Sequence, residues 1–278
     1  MTSCELLAGG ASNLNYLLRC SGFEAPLVLR IYTRDPEGCA KELAILRAAR
    51  GILPVPEVIH ASPKGEEDLA PYAVYGFVDG ITFQELKSNG NPGDMADAAC
   101  AIGSALARVR AAAPPQCLSP RPAISDDCFN SPLLEQRLGG RERDGLREAV
   151  SRWWPQLHSL YEERALVHGD YNNRNTILRQ GEGGWVVSGI LDWELAFVGS
   201  PLWDAARFIC YEHDSRPCRE PHFSRAFSEA GGKLPEDWPA FARIINAVSA
   251  AESLSRPDLA AHFVRELSDL IAAACVRL

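Results

Sequence analysis

"ALVHGDYNNRNTIL", residues 165–178, joins two short apolar runs through a polar segment that opens on His168-Gly169-Asp170 and reaches Asn175 five positions after the acid. Each apolar run has the length and aliphatic content of a buried strand. The segment between them is therefore expected to be a loop that two strands deliver to the edge of a cleft, with an acid and an amide at a fixed interval. A third apolar run ends in a second acid, Asp192, within "VVSGILDWELAFVGSPLWDAARF" (186–208). Gly181, Gly183 and Gly184 between the runs suit a hairpin turn. Asp170, Asn175 and Asp192 are thus expected to converge, as a hard cation with oxygen ligands requires.

The flanking sequence gives this loop a setting. "NYLLRC" and "PLVLRIY", separated by "SGFEAP", read as an antiparallel pair of strands. After the breaker Asp35-Pro36-Glu37-Gly38 comes "CAKELAILRAAR", where Glu42, Ile45, Leu46 and Ala49 share one helical face, so a carboxylate points the same way as apolar residues. "LPVPEVIHAS" is extended because Pro54 and Pro56 cannot continue a helix, and "PYAVYGFV" reads as another buried strand. From Asp79-Gly80 onward helical patterns dominate: a helix with Asp94 as N-cap ended by Pro114-Pro115, then stretches near 132–163, 203–213, 221–231 and 238–277, the last divided at Pro257. Residues 116–132 read as loop. The expected architecture is α+β and two-lobed: a small antiparallel sheet over 1–79 and a larger, mainly helical part over 80–278, with a cleft between them.

Composition narrows the function classes. With 28 basic and 36 acidic residues the formal net charge is -8, which argues against a nucleic-acid partner and leaves room for a cationic small molecule. No apolar stretch approaches the roughly 20 residues of a membrane span, and "MTSCELLAGG" has neither the basic start nor the hydrophobic block of a secretion signal, so a cytoplasmic location is expected. Nine cysteines without a C-x-x-C pair read as reduced, mostly buried thiols.

An oxygen-rich loop of this kind suits phosphoryl transfer, which needs positioning and charge neutralisation more than covalent help. "HGDYNNRN" has the D-x-x-x-x-N interval of a kinase catalytic loop, and with "ILDWELAFVGSPLWDAA" it resembles the aminoglycoside phosphotransferase and choline kinase-like enzymes. The resemblance implies a protein-kinase-like fold, ATP and Mg2+ as cofactors, and phosphorylation of a hydroxyl on an aminoglycoside-like antibiotic or a related metabolite. It implies Asp170 as the base at the acceptor hydroxyl, and Asn175 and Asp192 as magnesium ligands. "LAGGASNLNYLL" is similar to the phosphate-covering turn, with Gly10, Ser12 and Asn13 at the nucleotide. Arg30 stands where many kinases carry Lys, Glu42 is similar to the acid that pairs with it, and Gly76, Phe77 and Val78 resemble the adenine-binding linker. Glu194 is expected to touch metal through water or to brace the loop. With Glu212 and Asp214 it is also an acceptor-binding candidate. Asp204 is expected to cap the helix after it and to brace the catalytic loop, His168 to pack, and Trp153-Trp154 to be core. The alternative from another class is a nucleotide-binding pseudokinase acting as a switch or scaffold, kept in view by Arg30. A protein kinase is disfavoured, because "DWE" and "GSPLWDAA" are too close to hold an activation segment.

Overall fold

The computed structural model describes residues 2–7, 13–66, 69–122, 129–210, 219–257 and 259–276. Its first part is an antiparallel five-stranded sheet of β1 (Ser3–Leu6), β2 (Leu14–Arg19), β3 (Leu27–Ile31), β4 (Val58–Ser62) and β5 (Tyr72–Gly76), in the order β1-β2-β3-β5-β4. Alternation sets its buried face, with Ala73 and Tyr75 of β5 inside and their neighbours less so.

Helix α1 (Pro36–Ala49) crosses between β3 and β4 and buries Cys39, Glu42, Leu43, Ile45, Leu46 and Ala49. It begins earlier than the sequence suggests. Pro36-Glu37-Gly38 is its first turn and not a breaker, because a proline at N1 lacks only an N–H that has no helical partner there, while the Asp35 side chain accepts from the Glu37 N–H at 3.1 Å.

Gly80 makes the turn out of the sheet with φ 137°, and a Cβ there would fall 2.3 Å from the Leu178 carbonyl oxygen. Then β6 (Ile81–Thr82) leads into α2 (Phe83–Asn89), whose cap Thr82 and Glu85 satisfy each other's main-chain N–H groups. Helix α3 (Pro92–Ala111) is capped by Asn91, which accepts from the Asp94 N–H at 2.9 Å; Asp94 is therefore inside the first turn and is not the cap. The expected helix over 132–163 is three pieces, α4 (Pro132–Arg137), α5 (Gly140–Arg152) and α6 (Trp154–Ser159), broken at Gly139 and again before Pro155. Trp153 stacks on Phe241 at 5.5 Å, but Trp154 is 41% exposed and is not core.

The central strands follow: β7 (Ala165–Val167), the hairpin β8 (Thr176–Gly181) and β9 (Gly184–Ile190), and β10 (Phe197–Gly199), which pairs with β7. Helices α7 (Leu202–Phe208), α8 (His222–Glu229), α9 (Trp238–Leu254) and α10 (Ala261–Val276) complete the chain, with a break around Pro257 between the last two. α3 and α8 approach closely because Gly103 has no side chain: a Cβ there would sit 2.3 Å from the Phe223 carbonyl oxygen. Phe83, Met95, Ile102, Tyr171, Phe208 and Phe223 form the adjoining core. Among the described residues no helix is long and apolar enough to cross a membrane, and every described cysteine is a free thiol.

Candidate functional site

The loop after β7 is built around Gly169 and a buried histidine. Gly169 has φ 84°, and a Cβ there would lie 2.3 Å from the Leu195 carbonyl oxygen, so only glycine fits. His168 is fully buried; its Nε2–H donates to the Leu191 carbonyl at 2.8 Å and its Nδ1 accepts from the Asp170 N–H at 3.2 Å. Burial holds the imidazole below its ordinary pKa, hence neutral, and both ring nitrogens are occupied. Asp204, on α7, accepts the His168 and Gly169 N–H groups at 2.6 and 2.9 Å. It braces the loop but does not cap its own helix, because it lies within the first turn after Pro201.

Asp170 receives two side chains. Asn175 Nδ2 donates to its Oδ2 at 3.0 Å and to its carbonyl at 2.9 Å, and Arg207 Nε donates to Oδ1 at 3.1 Å. A carboxylate and a carbonyl accept only, so the amide nitrogen faces Asp170 and the amide oxygen faces away. The Asn175 carbonyl accepts from the Leu191 N–H at 2.9 Å, which brings Asp192 alongside. Asp192 has φ 66°, a left-handed conformation that Asp tolerates better than most residues. Among the described residues no three His, Cys, Asp or Glu side chains group as a metal site. A cation held by Asn175 and Asp192 oxygens would therefore draw its remaining ligands from water or a bound phosphate, as magnesium does.

Arg30 joins the two halves. Its Nη2 donates to Asp192 Oδ1 at 2.7 Å and to Glu194 Oε2 at 3.0 Å, while its Nε lies 3.5 Å from Glu42 Oε2. The Arg30–Glu42 pair is thus one arm of a larger buried cluster. Burial disfavours the guanidinium charge, but Glu42 and Asp192 more than offset it and hold Arg30 above its ordinary pKa. Glu42 also accepts the Tyr32 hydroxyl and, at 3.0 Å, the Trp193 N–H, and Tyr32 in turn meets the Tyr75 hydroxyl at 2.7 Å. Glu194, an acceptor candidate from the sequence, turns to the sheet side instead. Asn13 Nδ2 donates to it at 2.6 Å and Lys41 Nζ donates to its carbonyl at 2.8 Å. Asn13 Oδ1 is buried with no partner among the described residues.

In the linker, the Gly76 and Phe77 N–H groups already donate to the Glu57 and Pro26 carbonyls, at 2.9 and 3.1 Å. Among the described residues no partner is found for the Val78 N–H, which makes it the available donor of the three. Gly10, Ser12, Glu212 and Asp214 lie outside the described residues. Sequence reasoning missed Tyr32, Tyr75, Lys41 and Arg207. Tyr32 left a signal, being two residues from Arg30 at the end of the same strand, whereas the others depend on contacts between separate elements.

A five-stranded antiparallel sheet carrying one crossing helix, set on a helical part with the acid loop between them, is the two-lobed α+β architecture of the protein-kinase-like phosphotransferases. The chain belongs to the phosphotransferase enzyme family, whose model matches residues 3–244. A thermostable mutant of aminoglycoside phosphotransferase APH(4)-Ia, in ternary complex with AMP-PNP and hygromycin B, is similar with a TM-score of 0.71 at 19% identity, covering 99% of this chain and 93% of that one. The GDP and kanamycin complex of APH(2″)-IIIa gives 0.72 at 17% identity, covering 99% and 94%. The choline kinase LicA from Streptococcus pneumoniae gives 0.65 at 16%, covering 99% and 95%. Among curated protein sequences none matches the chain.

Proposed function

We propose that the protein is an ATP-dependent, magnesium-requiring kinase of a small hydroxylated molecule, an aminoglycoside-like antibiotic or a related metabolite, acting in the cytoplasm. The observation that carries the reading is one continuous set of contacts: Arg207 and Asn175 on Asp170, Asn175 on the main chain beside Asp192, and Arg30 on Asp192. Residues 1–79 form the nucleotide-binding lobe and 80–278 the catalytic and acceptor-binding lobe.

Asp170 orients the acceptor hydroxyl and takes its proton as that oxygen bonds to the γ-phosphorus and the bond to ADP breaks, the electron pair leaving with ADP. Arg30 moves from Asp192 and Glu194 to the inner phosphates, a change its exposed partner Asp192 permits. Glu42 and Tyr32 keep the Arg30 stem in place meanwhile. Asn13 and the Val78 N–H contribute to holding the nucleotide, and Gly10 and Ser12 would cover its phosphates. Magnesium, held by Asn175 and Asp192, would supply charge neutralisation on the phosphate oxygens.

The test is turnover with Mg2+ and ATP across aminoglycosides, choline, homoserine and sugars, read by mass spectrometry. Asp170→Asn is expected to lower kcat by roughly 10²- to 10⁴-fold while nucleotide binding survives. An unimpaired variant would contradict the role of Asp170. Nucleotide binding without transfer to any acceptor would favour a pseudokinase.

A further inference from the structure

Helix α7 is buried along nearly its whole length: Trp203, Asp204, Ala205, Ala206 and Phe208 are all inside, and Arg207 is its one exposed residue. That residue reaches the carboxylate proposed as the base, with Nε 3.1 Å from Asp170 Oδ1. The placement is built into the fold. Asp204 and Arg207 are three apart and so share a helix face. Asp204 grips the main chain of residues 168–169 and Arg207 the side chain of residue 170, which fixes the guanidinium's reach. The far end of α7 is tied as well. Arg219, itself buried, donates to the Phe208 carbonyl at 2.6 Å, the Cys210 carbonyl at 2.9 Å and Asn173 Oδ1 at 3.2 Å.

The two oxygens of Asp170 are thus occupied from opposite quarters. Oδ2 receives the amide of Asn175, whose other atom is turned toward the proposed metal, and Oδ1 receives Arg207. An acceptor hydroxyl must displace or share one of these donors before Asp170 can take its proton. Asn175 is held by three further main-chain bonds, whereas the Arg207 side chain is 44% exposed on a long flexible stem and is the donor that can move. A guanidinium withdrawn from a carboxylate in a partly dry cleft is costly unless it meets another anion, and its planar edge already fits a carboxylate.

We infer that Arg207 selects the acceptor: it binds a carboxylate carried near the acceptor's hydroxyl, and until that group arrives it holds Asp170 closed. The inference rests on Asp170 being the base, and it narrows the substrate to small hydroxy acids, including hydroxy amino acids. A polycation, lacking an anion to exchange, leaves Arg207 on Asp170 and brings like charge toward it.

The test compares matched acceptors with Mg2+ and ATP: homoserine against homoserine amide, 3-hydroxybutyrate against 1,3-butanediol, and kanamycin as the polycation. Wild type is expected to favour the carboxylate member of each pair. Arg207→Met should lose about 10- to 100-fold in kcat/KM for the carboxylate members, chiefly through KM, as expected for one charge-assisted contact. The neutral members should hold or gain rate, and ATP hydrolysis by water should rise because Asp170 is released. Arg207→Lys should recover part of the loss. Independently of turnover, the Arg207 Nε–H resonance should shift when homoserine, but not its amide, is added to the protein with AMP-PNP and Mg2+. Equal losses on both members of each pair, or a preference for kanamycin, would overturn the inference while leaving Asp170 as the base. Turnover that Asp170→Asn does not reduce would overturn that reading, and this one with it.

Discussion

Asp204 is completely enclosed, and its carboxylate is satisfied only by the N–H groups of His168 and Gly169. Burial pushes its pKa up to about 7, even though both hydrogen bonds pull the other way. The sign of the linkage follows. An acid raised in the folded state contributes stability that is fully present below its unfolded value, about 3.9, and is lost as pH rises through about 7. Buried His168 works oppositely: held neutral, it favours the folded state above its unfolded value of about 6.5 and loses that contribution as pH falls. Asp204→Asn removes the first effect only. Urea midpoints between about pH 4.5 and pH 7.5 should show a lower absolute stability for the variant, by about 1–3 kcal/mol for an N–H left facing an amide nitrogen. Its stability should also fall less with rising pH than that of wild type. Parallel curves for the two proteins would show that Asp204 is not the titrating group.

Helix α1 carries Glu42 to Arg30 and to the Trp193 amide, so its N-terminal end matters to the site as well as to the sheet. Asp35→Ala removes the cap and should cost about 0.5–2 kcal/mol by chemical denaturation. An unchanged midpoint would mean that the first turn is held by packing alone. This helix and the strands beside it were legible in the sequence because aliphatic runs and a three-four spacing report directly on which face is buried. Their starting points were less legible: Pro36 and Pro92 look like helix breakers in a string of letters, yet sit at first-turn positions where a missing N–H costs nothing. The approach of Asp170, Asn175 and Asp192 followed from one hairpin and was readable. The Tyr32–Glu42–Tyr75 cluster was not, since it joins two strands and a helix whose mutual register no local pattern encodes. Arg207 was hidden for a similar reason, its meaning resting on how α7 lies against a loop formed 37 residues earlier.

At the scale of the whole molecule, the sheet and the helical part are fastened by charge: Arg30 on Asp192 and Glu194, Asn13 on Glu194, and Lys41 on the Glu194 carbonyl. A nucleotide with magnesium would exchange these ties for its own. Binding at about 100 times Kd adds roughly 2.7 kcal/mol, a rise in Tm on the order of 5 °C for a chain of this size. Scanning calorimetry with AMP-PNP should show this rise with Mg2+ and a much smaller one with EDTA, and Asp192→Asn should abolish the difference. Equal shifts with and without metal would contradict Asn175 and Asp192 as its ligands. Net charge, a property of the entire surface, says little about the acceptor, because a single guanidinium at the base outweighs distant carboxylates. Trp193 links all three scales: its amide hangs on α1, its indole N–H on the Ile190 carbonyl, and its ring lies 4.5 Å from that of His168, out of reach of water. A shift of the helix or a proton gained by the imidazole alters the surroundings of that ring, so the molecule carries its own fluorescent gauge of whether the two halves are engaged.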